Sequence, residues 1–212
     1  WPIEERAVPQ SEVPGEKLSP TQPFPTKPAA YEMQGLTEDD LIDFTPELRT
    51  EALEIVKNYR IGPIFNPPIE TNHPSGLRSF VSCPSGATNI TGPTSADPET
   101  GILYVSTRRG CRSENIIPGR ELDDPDNIMT TGTTIADWAV ANRGDFQGPR
   151  GLPIYKPPYS QIVAINMNTG EHLWAVPNGD TPDHIRNHAT LNGIEFPNTG
   201  RIASPITMVT RT

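Results

Sequence analysis

Apolar and polar positions alternate most regularly over Ser160–Trp174, SQIVAINMNTGEHLW. Ile162 and Ala164 fall on one side of an extended chain, Val163 and Ile165 on the other, as the two-residue period of a strand requires. Asn168-Thr169-Gly170 interrupts the run, and a second β-prone stretch ends at Trp174. Two such runs around an Asn/Gly turn predict a β-hairpin. Gly170 supplies the positive φ of the turn. Ala164 is small enough to leave room for an indole from the opposite strand. The unit predicts one edge of a sheet blade with Trp174 laid across its own hairpin, so Ala164, Gly170 and Trp174 form a structural docking set.

A second turn of the same kind, Asp97-Pro98-Glu99-Thr100-Gly101, leads into the apolar run Ile102–Ser106. The two stretches read as a degenerate repeat, spaced more widely than a blade of about 40–45 residues. Between them, residues 107–159 are rich in Gly, Pro, Asp and Asn and poor in apolar runs, which predicts a long loop excursion. A short strand is expected over Ser79–Cys83, a polar loop over 177–200 and a last strand over 201–212.

Only residues 36–60 carry a helical period. Thr37 caps a turn through Glu38, Asp39 and Asp40; Thr45-Pro46 is an N-cap followed by Pro at the first helical position. Leu48, Ala52, Ile55, Val56 and Tyr59 then fall on one face, with Lys57 and Arg60 in the last turn and Gly62-Pro63 ending it. Upstream, seven prolines within residues 1–30 exclude a helix or a central strand. That segment reads either as an extended strap held against a surface or as a tail without fixed structure. The division expected is a proline-rich strap over 1–35, inserted helices over 36–62 and a β-rich unit over 63–212.

Composition agrees with short strands and long loops: 34% of residues are hydrophobic, with 25 Pro and 17 Gly among 212. The net charge of −9 comes without a basic stripe, which argues against nucleic acid as a partner. No apolar run approaches the roughly 18 residues of a membrane span. The start at Trp1-Pro2 and the strand-like end suggest an internal or processed piece of a larger protein. Cys83 and Cys111 are the only cysteines. Two readings stand for them: a disulfide formed in an oxidising compartment, or two separate buried thiols.

Several phrases resemble one family. They are Thr21-Gln22-Pro23-Phe24-Pro25, Gly35-Leu36-Thr37-Glu38-Asp39-Asp40-Leu41, Phe44-Thr45-Pro46-Glu47-Leu48 and Pro157-Pro158-Tyr159-Ser160. All are similar to quinoprotein dehydrogenases dependent on pyrroloquinoline quinone (PQQ), of the membrane glucose dehydrogenase type. The resemblance implies a mainly β fold: part of an eight-bladed quinoprotein-type β-propeller, with this chain supplying the later blades, about two to three of them. It implies PQQ with a calcium ion held mainly by parts of the protein outside this chain. Partners would be the remaining blades, a small sugar or alcohol substrate and a quinone electron acceptor, in a periplasmic or otherwise extracytoplasmic location. Asn89, in Gly86-Ala87-Thr88-Asn89-Ile90-Thr91-Gly92, matches the family's axial asparagine that hydrogen-bonds a PQQ oxygen. Ile90 stands where the family has Trp. No catalytic residue or metal ligand is expected in this chain, which alone would be inactive. The alternative is a non-catalytic propeller scaffold that has lost the cofactor.

Other motifs carry less. Asn89-Ile90-Thr91 is also a glycosylation sequon. His184 and His188 have zinc-ligand spacing only if helical, and Pro182 and Asn187 oppose a regular helix. Asp123-Asp124-Pro125-Asp126-Asn127 lacks the Gly and distal Glu of a calcium loop and reads as a solvated turn. Trp138, within the 107–159 excursion, is a candidate substrate contact.

Overall fold

The structure is a computed structural model that describes residues 1–85, 94–122, 136–203 and 206–211. The chain is mainly β. Its strands are β1 (Ile3–Ala7), β2 (Thr21–Pro25), β3 (Gly35–Leu36), β4 (Tyr59–Arg60), β5 (Gly62–Pro63), β6 (Ser79–Ser82), β7 (Ser95–Asp97), β8 (Ile102–Arg108), β9 (Arg112–Pro118), β10 (Trp138–Asp145), β11 (Ser160–Asn166) and β12 (Glu171–Pro177). Among the described residues, two helices, α1 (Pro46–Val56) and α2 (Asp183–Arg186), complete the regular structure apart from short 3-10 turns.

Strands β7, β8, β11 and β12 form an antiparallel four-stranded sheet in that order. Each strand pairs with its neighbour in sequence except at β8–β11, where the chain leaves the sheet and returns. The two predicted turns have the same geometry. The Gly101 N–H bonds the Asp97 carbonyl at 2.8 Å, and the Gly170 N–H bonds the Asn166 carbonyl at 2.6 Å. Asp97 Oδ1 accepts from Glu99 N and Asn166 Oδ1 from Asn168 N, both at 2.9 Å. The side chains thus copy a backbone turn, and each glycine sits at positive φ, +70° and +71°. The turns also touch each other, Met167 N donating to the Gly101 carbonyl at 2.8 Å.

The excursion is not a loop. It carries β9 and β10, which pair with each other and add to β6 and β4 in a second four-stranded sheet. Composition hid them because β9 opens Arg-Ser-Glu-Asn, and Glu114 and Asn115 are buried inside the sheet. Glu114 is compensated by Arg143, at 3.0 Å, so a polar sequence still fills an interior position.

Helix α1 starts where predicted, with the Thr45 hydroxyl accepting from Leu48 N at 3.2 Å. It ends earlier. Lys57 is the C-cap, and Tyr59–Arg60 pairs in parallel with Ser79–Phe80, because Tyr59 gains a ladder and a ring contact with Phe146 at 4.7 Å. Leu48, Ala52 and Val56 face a core shared with Leu41, Leu152 and Ile154. Residues 177–200 contribute α2, a single turn whose Ile185 is fully buried in the same core. The final segment is not a strand among the described residues. Residues 206–211 meet the sheet through a bond from the Ser95 hydroxyl to that of Thr207, at 2.9 Å, with Ile206 and Met208 facing outward. Without a backbone ladder, apolar alternation is insufficient to make a strand.

The proline-rich segment is ordered as a ribbon. β1 and β2 pair antiparallel, Pro23 opposite Glu5 and Pro25 opposite Ile3, and the prolines are tolerated because each strand has an open edge. No helix among the described residues is long and apolar enough to cross a membrane.

Candidate functional site

Several segments meet at Arg109-Gly110-Cys111, where the chain passes from the first sheet to the second. Arg109 N donates to the Tyr159 carbonyl at 2.9 Å, and the Tyr155 hydroxyl donates to the Arg109 carbonyl at 3.1 Å. The next carbonyl, of Gly110, accepts from Ser85 N at 2.6 Å. Cys111 forms a disulfide with Cys83 at 2.01 Å, across a sequence separation of 28. A loop of that length restricts the unfolded chain by about 3–4 kcal/mol. The disulfide continues the pairing of β6 with β9, in which Ser82 lies opposite Arg112.

Glu32 enters this junction from the proline-rich segment. Its side chain is 4% exposed. One oxygen accepts from the Thr107 hydroxyl at 2.6 Å; the other accepts from Met33 N at 2.8 Å and from Arg109 Nε. Arg109 also donates Nη1 to the Lys156 carbonyl at 3.0 Å. Both charges are therefore paired and hydrogen-bonded, the condition under which ions are tolerated in an interior. The adjoining Tyr155 hydroxyl is pushed up to about 12 by burial, against the opposing pull of Arg109. Burial raises Tyr159 further, with a smaller push from Tyr155. Among the described residues, the buried Tyr159 hydroxyl and Ser160 Oγ have no hydrogen-bond partner.

Beside the junction lies a cleft of about 620 Å³, lined by Arg6, Phe24, Tyr31, Glu32, Gln34 and Pro84 among others. Its size suits a small molecule. The Arg6 guanidinium lies 5.0 Å from the centre of the Phe24 ring and pairs with Glu4 at 2.9 Å. Aromatic and proline walls with a few polar groups suit a neutral, hydrogen-bonding ligand. They do not fit PQQ, a planar tricarboxylate. Arg6, which lines the cleft, is already matched to Glu4, and the most buried charged group facing it, Glu32, is itself a carboxylate. Among the described residues, no three His, Cys, Asp or Glu side chains gather as a metal site.

Asn89, with the sequon around it, lies in residues 86–93, outside the described residues, as does the acidic stretch 123–127. Ala164 is fully buried and lies opposite both Trp174 and Tyr104. The Trp174 indole reaches past its own hairpin toward Tyr104 on β8, with centroids 5.9 Å apart, and remains 44% exposed. Trp138 donates Nε1 to the Pro14 carbonyl at 3.1 Å, a contact with the proline-rich segment. His188 Nε2 lies 3.1 Å from the Arg150 carbonyl, and His184 is exposed. Sequence reasoning missed Glu32, Thr107 and Arg109. Their one signal was the polar Thr107-Arg108-Arg109 directly after an apolar strand.

Over residues 1–212 the chain matches the family model described as PQQ: Glucose/ethanol/alcohol dehydrogenase, beta-propeller domain. It is 28% identical over 200 residues to the glycerol dehydrogenase large subunit of Gluconobacter oxydans, covering 84% of this chain and 26% of that protein. It is 23% identical to the quinate/shikimate dehydrogenase (quinone) of Acinetobacter baylyi, covering 84% and 22%, and 26% identical to the quinoprotein glucose dehydrogenase of Escherichia coli, covering 82% and 22%. The chain thus spans about a quarter of the length of these curated relatives. No solved structure matches. The antiparallel sheet with its paired Asx–Gly turns and the match along the whole sequence place this chain in the PQQ-linked glucose/ethanol/alcohol dehydrogenase β-propeller family.

Proposed function

We propose that this chain forms the later blades of an eight-bladed propeller, and that the whole protein is a PQQ-dependent dehydrogenase. It oxidises a sugar or alcohol by hydride transfer to the quinone and passes electrons to a quinone acceptor. The observation that carries this reading is the family match over all of residues 1–212. The short share of each relative that the chain covers supports further blades, in the same polypeptide or a companion chain. On this reading Asn89 donates its amide to a PQQ oxygen, a contact that adds no charge. The calcium ion and the base that takes the substrate's hydroxyl proton belong to the remaining blades. The part of this chain described above supplies a scaffold: the disulfide and the Glu32–Arg109 pair fix Cys83–Ser85, from which residues 86–93 begin. The disulfide favours an extracytoplasmic location.

The test is reconstitution of the full-length protein with PQQ and calcium, followed by dye-linked oxidation of glucose, glycerol and quinate, the compounds named by its relatives. Oxidation of at least one such polyol is expected. A folded protein that takes up no PQQ would overturn the reading in favour of a non-catalytic scaffold. Asn89→Ala should weaken PQQ retention by about tenfold, the effect of losing one good hydrogen bond; an unchanged affinity removes Asn89 from the site.

A further inference from the structure

We infer that the proline-rich segment is a latch over the Cys83–Cys111 disulfide, and that the Glu32–Arg109 contact is what holds it shut. The disulfide is covered, Cys83 being 8% and Cys111 4% exposed. Yet the 620 Å³ cleft comes within one residue of it, because Pro84 lines that cleft together with Glu32. Ser85, next in the chain to Pro84, is held by the Gly110 carbonyl at 2.6 Å. Residues 109–111 are consecutive, so the guanidinium that binds Glu32, the carbonyl that binds Ser85 and the sulfur bonded to Cys83 move as one piece.

Beside Glu32 the segment is also tied by buried Met33 and by Gln161, which donates Nε2 to the Tyr31 carbonyl at 2.8 Å, so these release together with Glu32; the ties at Lys27 and Trp1 are weaker. Lys27 and Glu171 pair at 2.8 Å with side chains 41% and 62% exposed. Trp1 rests on Gly170 while itself 57% exposed. Exposed contacts of this kind contribute little, whereas separating Glu32 from Thr107 and Arg109 breaks two hydrogen bonds to a buried carboxylate. The latch therefore opens as a local event centred on Glu32, without global unfolding. Once it is open, a small dithiol reaches the bridge. Its thiolate attacks one sulfur, the Cys83–Cys111 bond breaks, and the mixed disulfide resolves as the reagent's second thiol closes its own ring. The bridge gains two electrons and two protons, and the dithiol is oxidised to its cyclic disulfide.

The inference does not depend on PQQ, and its test uses the apo protein. The readout is the half-time for reduction of the bridge by dithiothreitol in the full-length chain, followed by alkylation and intact mass, with urea varied below the unfolding transition. Glu32→Gln should shorten the half-time by about tenfold or more. Lys27→Met, which removes only the exposed pair, should change it by no more than about threefold. The rate in Glu32→Gln should be flat in urea, since local opening exposes little surface. A half-time equal to the parent's would overturn the inference. So would an equal effect of Lys27→Met, or a rate that climbs with urea as global unfolding does. Thr107→Val serves if Glu32→Gln fails to fold: losing one hydrogen bond to the same carboxylate should accelerate reduction less, but in the same direction.

Discussion

Trp174 and Tyr104 meet across Ala164, their ring centroids 5.9 Å apart and their planes inclined at 40°. The contact spans three strands. Ala164 on β11 is the register partner of Trp174 on β12 and of Tyr104 on β8, and a larger side chain there would stand between the rings. Ala164→Leu should therefore destabilise the fold by about 1–3 kcal/mol, the usual cost of overpacking. The midpoint of urea unfolding, followed by tryptophan fluorescence, measures it. An unchanged midpoint would show that the rings do not need this gap.

The two turn glycines separate conformational cost from collision. Gly170 and Gly76 both lie at positive φ, +71° and +76°, but only Gly170 has neighbours in the way. A Cβ at Gly170 would stand 2.5 Å from the Trp1 ring and 2.7 Å from Lys27 Cγ, whereas Gly76 faces open space. Gly76→Ala should cost about 1 kcal/mol for the backbone alone. Gly170→Ala should cost more and should also displace Trp1. In a Gly170→Ala/Trp1→Ala double variant the excess should shrink, a non-additivity that a double-mutant cycle reads directly. Strict additivity would mean that Trp1 does not rest on this turn.

Legibility from sequence followed the locality of the forces. The hairpin, both Asx–Gly turns and the Thr45-Pro46 helix start were visible because each is set by a few neighbouring residues with fixed backbone demands. The β9–β10 hairpin was not visible, because Glu114 is compensated in its interior position by Arg143, 29 positions away. Glu32 was invisible for the same reason: its partners Thr107 and Arg109 lie 75 and 77 residues downstream. A buried charge looks like an exposed one until its partner is placed. The proline count excluded a helix in the first segment but could not show where its edge strands would dock.

Acidification should weaken the turns and the latch's outer tie. The Asp97 carboxyl is held below its ordinary value of 3.8, first by the Thr100 hydroxyl and then by the Glu99 N–H. Glu171 is lowered from 4.5, first by its hydrogen bond to Lys27 and then by that residue's charge. Both groups bind protons more weakly folded than unfolded. The stability they contribute is present above the unfolded values and is lost as pH falls below about 4.5 and then 3.8, through the folded values. Urea midpoints measured between pH 6 and pH 3 should fall over that window. Asp97→Asn should flatten the part of the decline nearest the lower end. A parallel decline in Asp97→Asn would place the titrating groups elsewhere.

Tyr155 and Tyr159 present opposite cases of one chemistry, 5.8 Å apart as an edge-to-face pair. The Tyr155 hydroxyl donates to the Arg109 carbonyl at 3.1 Å, while that of Tyr159 is buried with no partner among the described residues. Tyr155→Phe leaves the carbonyl short of a donor and should cost about 0.5–1.5 kcal/mol. Tyr159→Phe removes an unsatisfied buried hydroxyl, and should be neutral or stabilising by up to about 1 kcal/mol, since the desolvation penalty goes with it. Alkaline behaviour is shared in direction, since burial raises both hydroxyls. Tyr155 is raised from 10.0 to about 12 when folded, so its contribution is full below the unfolded value of about 10 and is lost as pH rises toward 12. Tyr155→Phe should shift the onset of alkaline unfolding upward even as it lowers stability at pH 7. Equal losses at pH 7 for the two variants would mean that the Tyr159 hydroxyl finds a partner in solution, most simply a buried water.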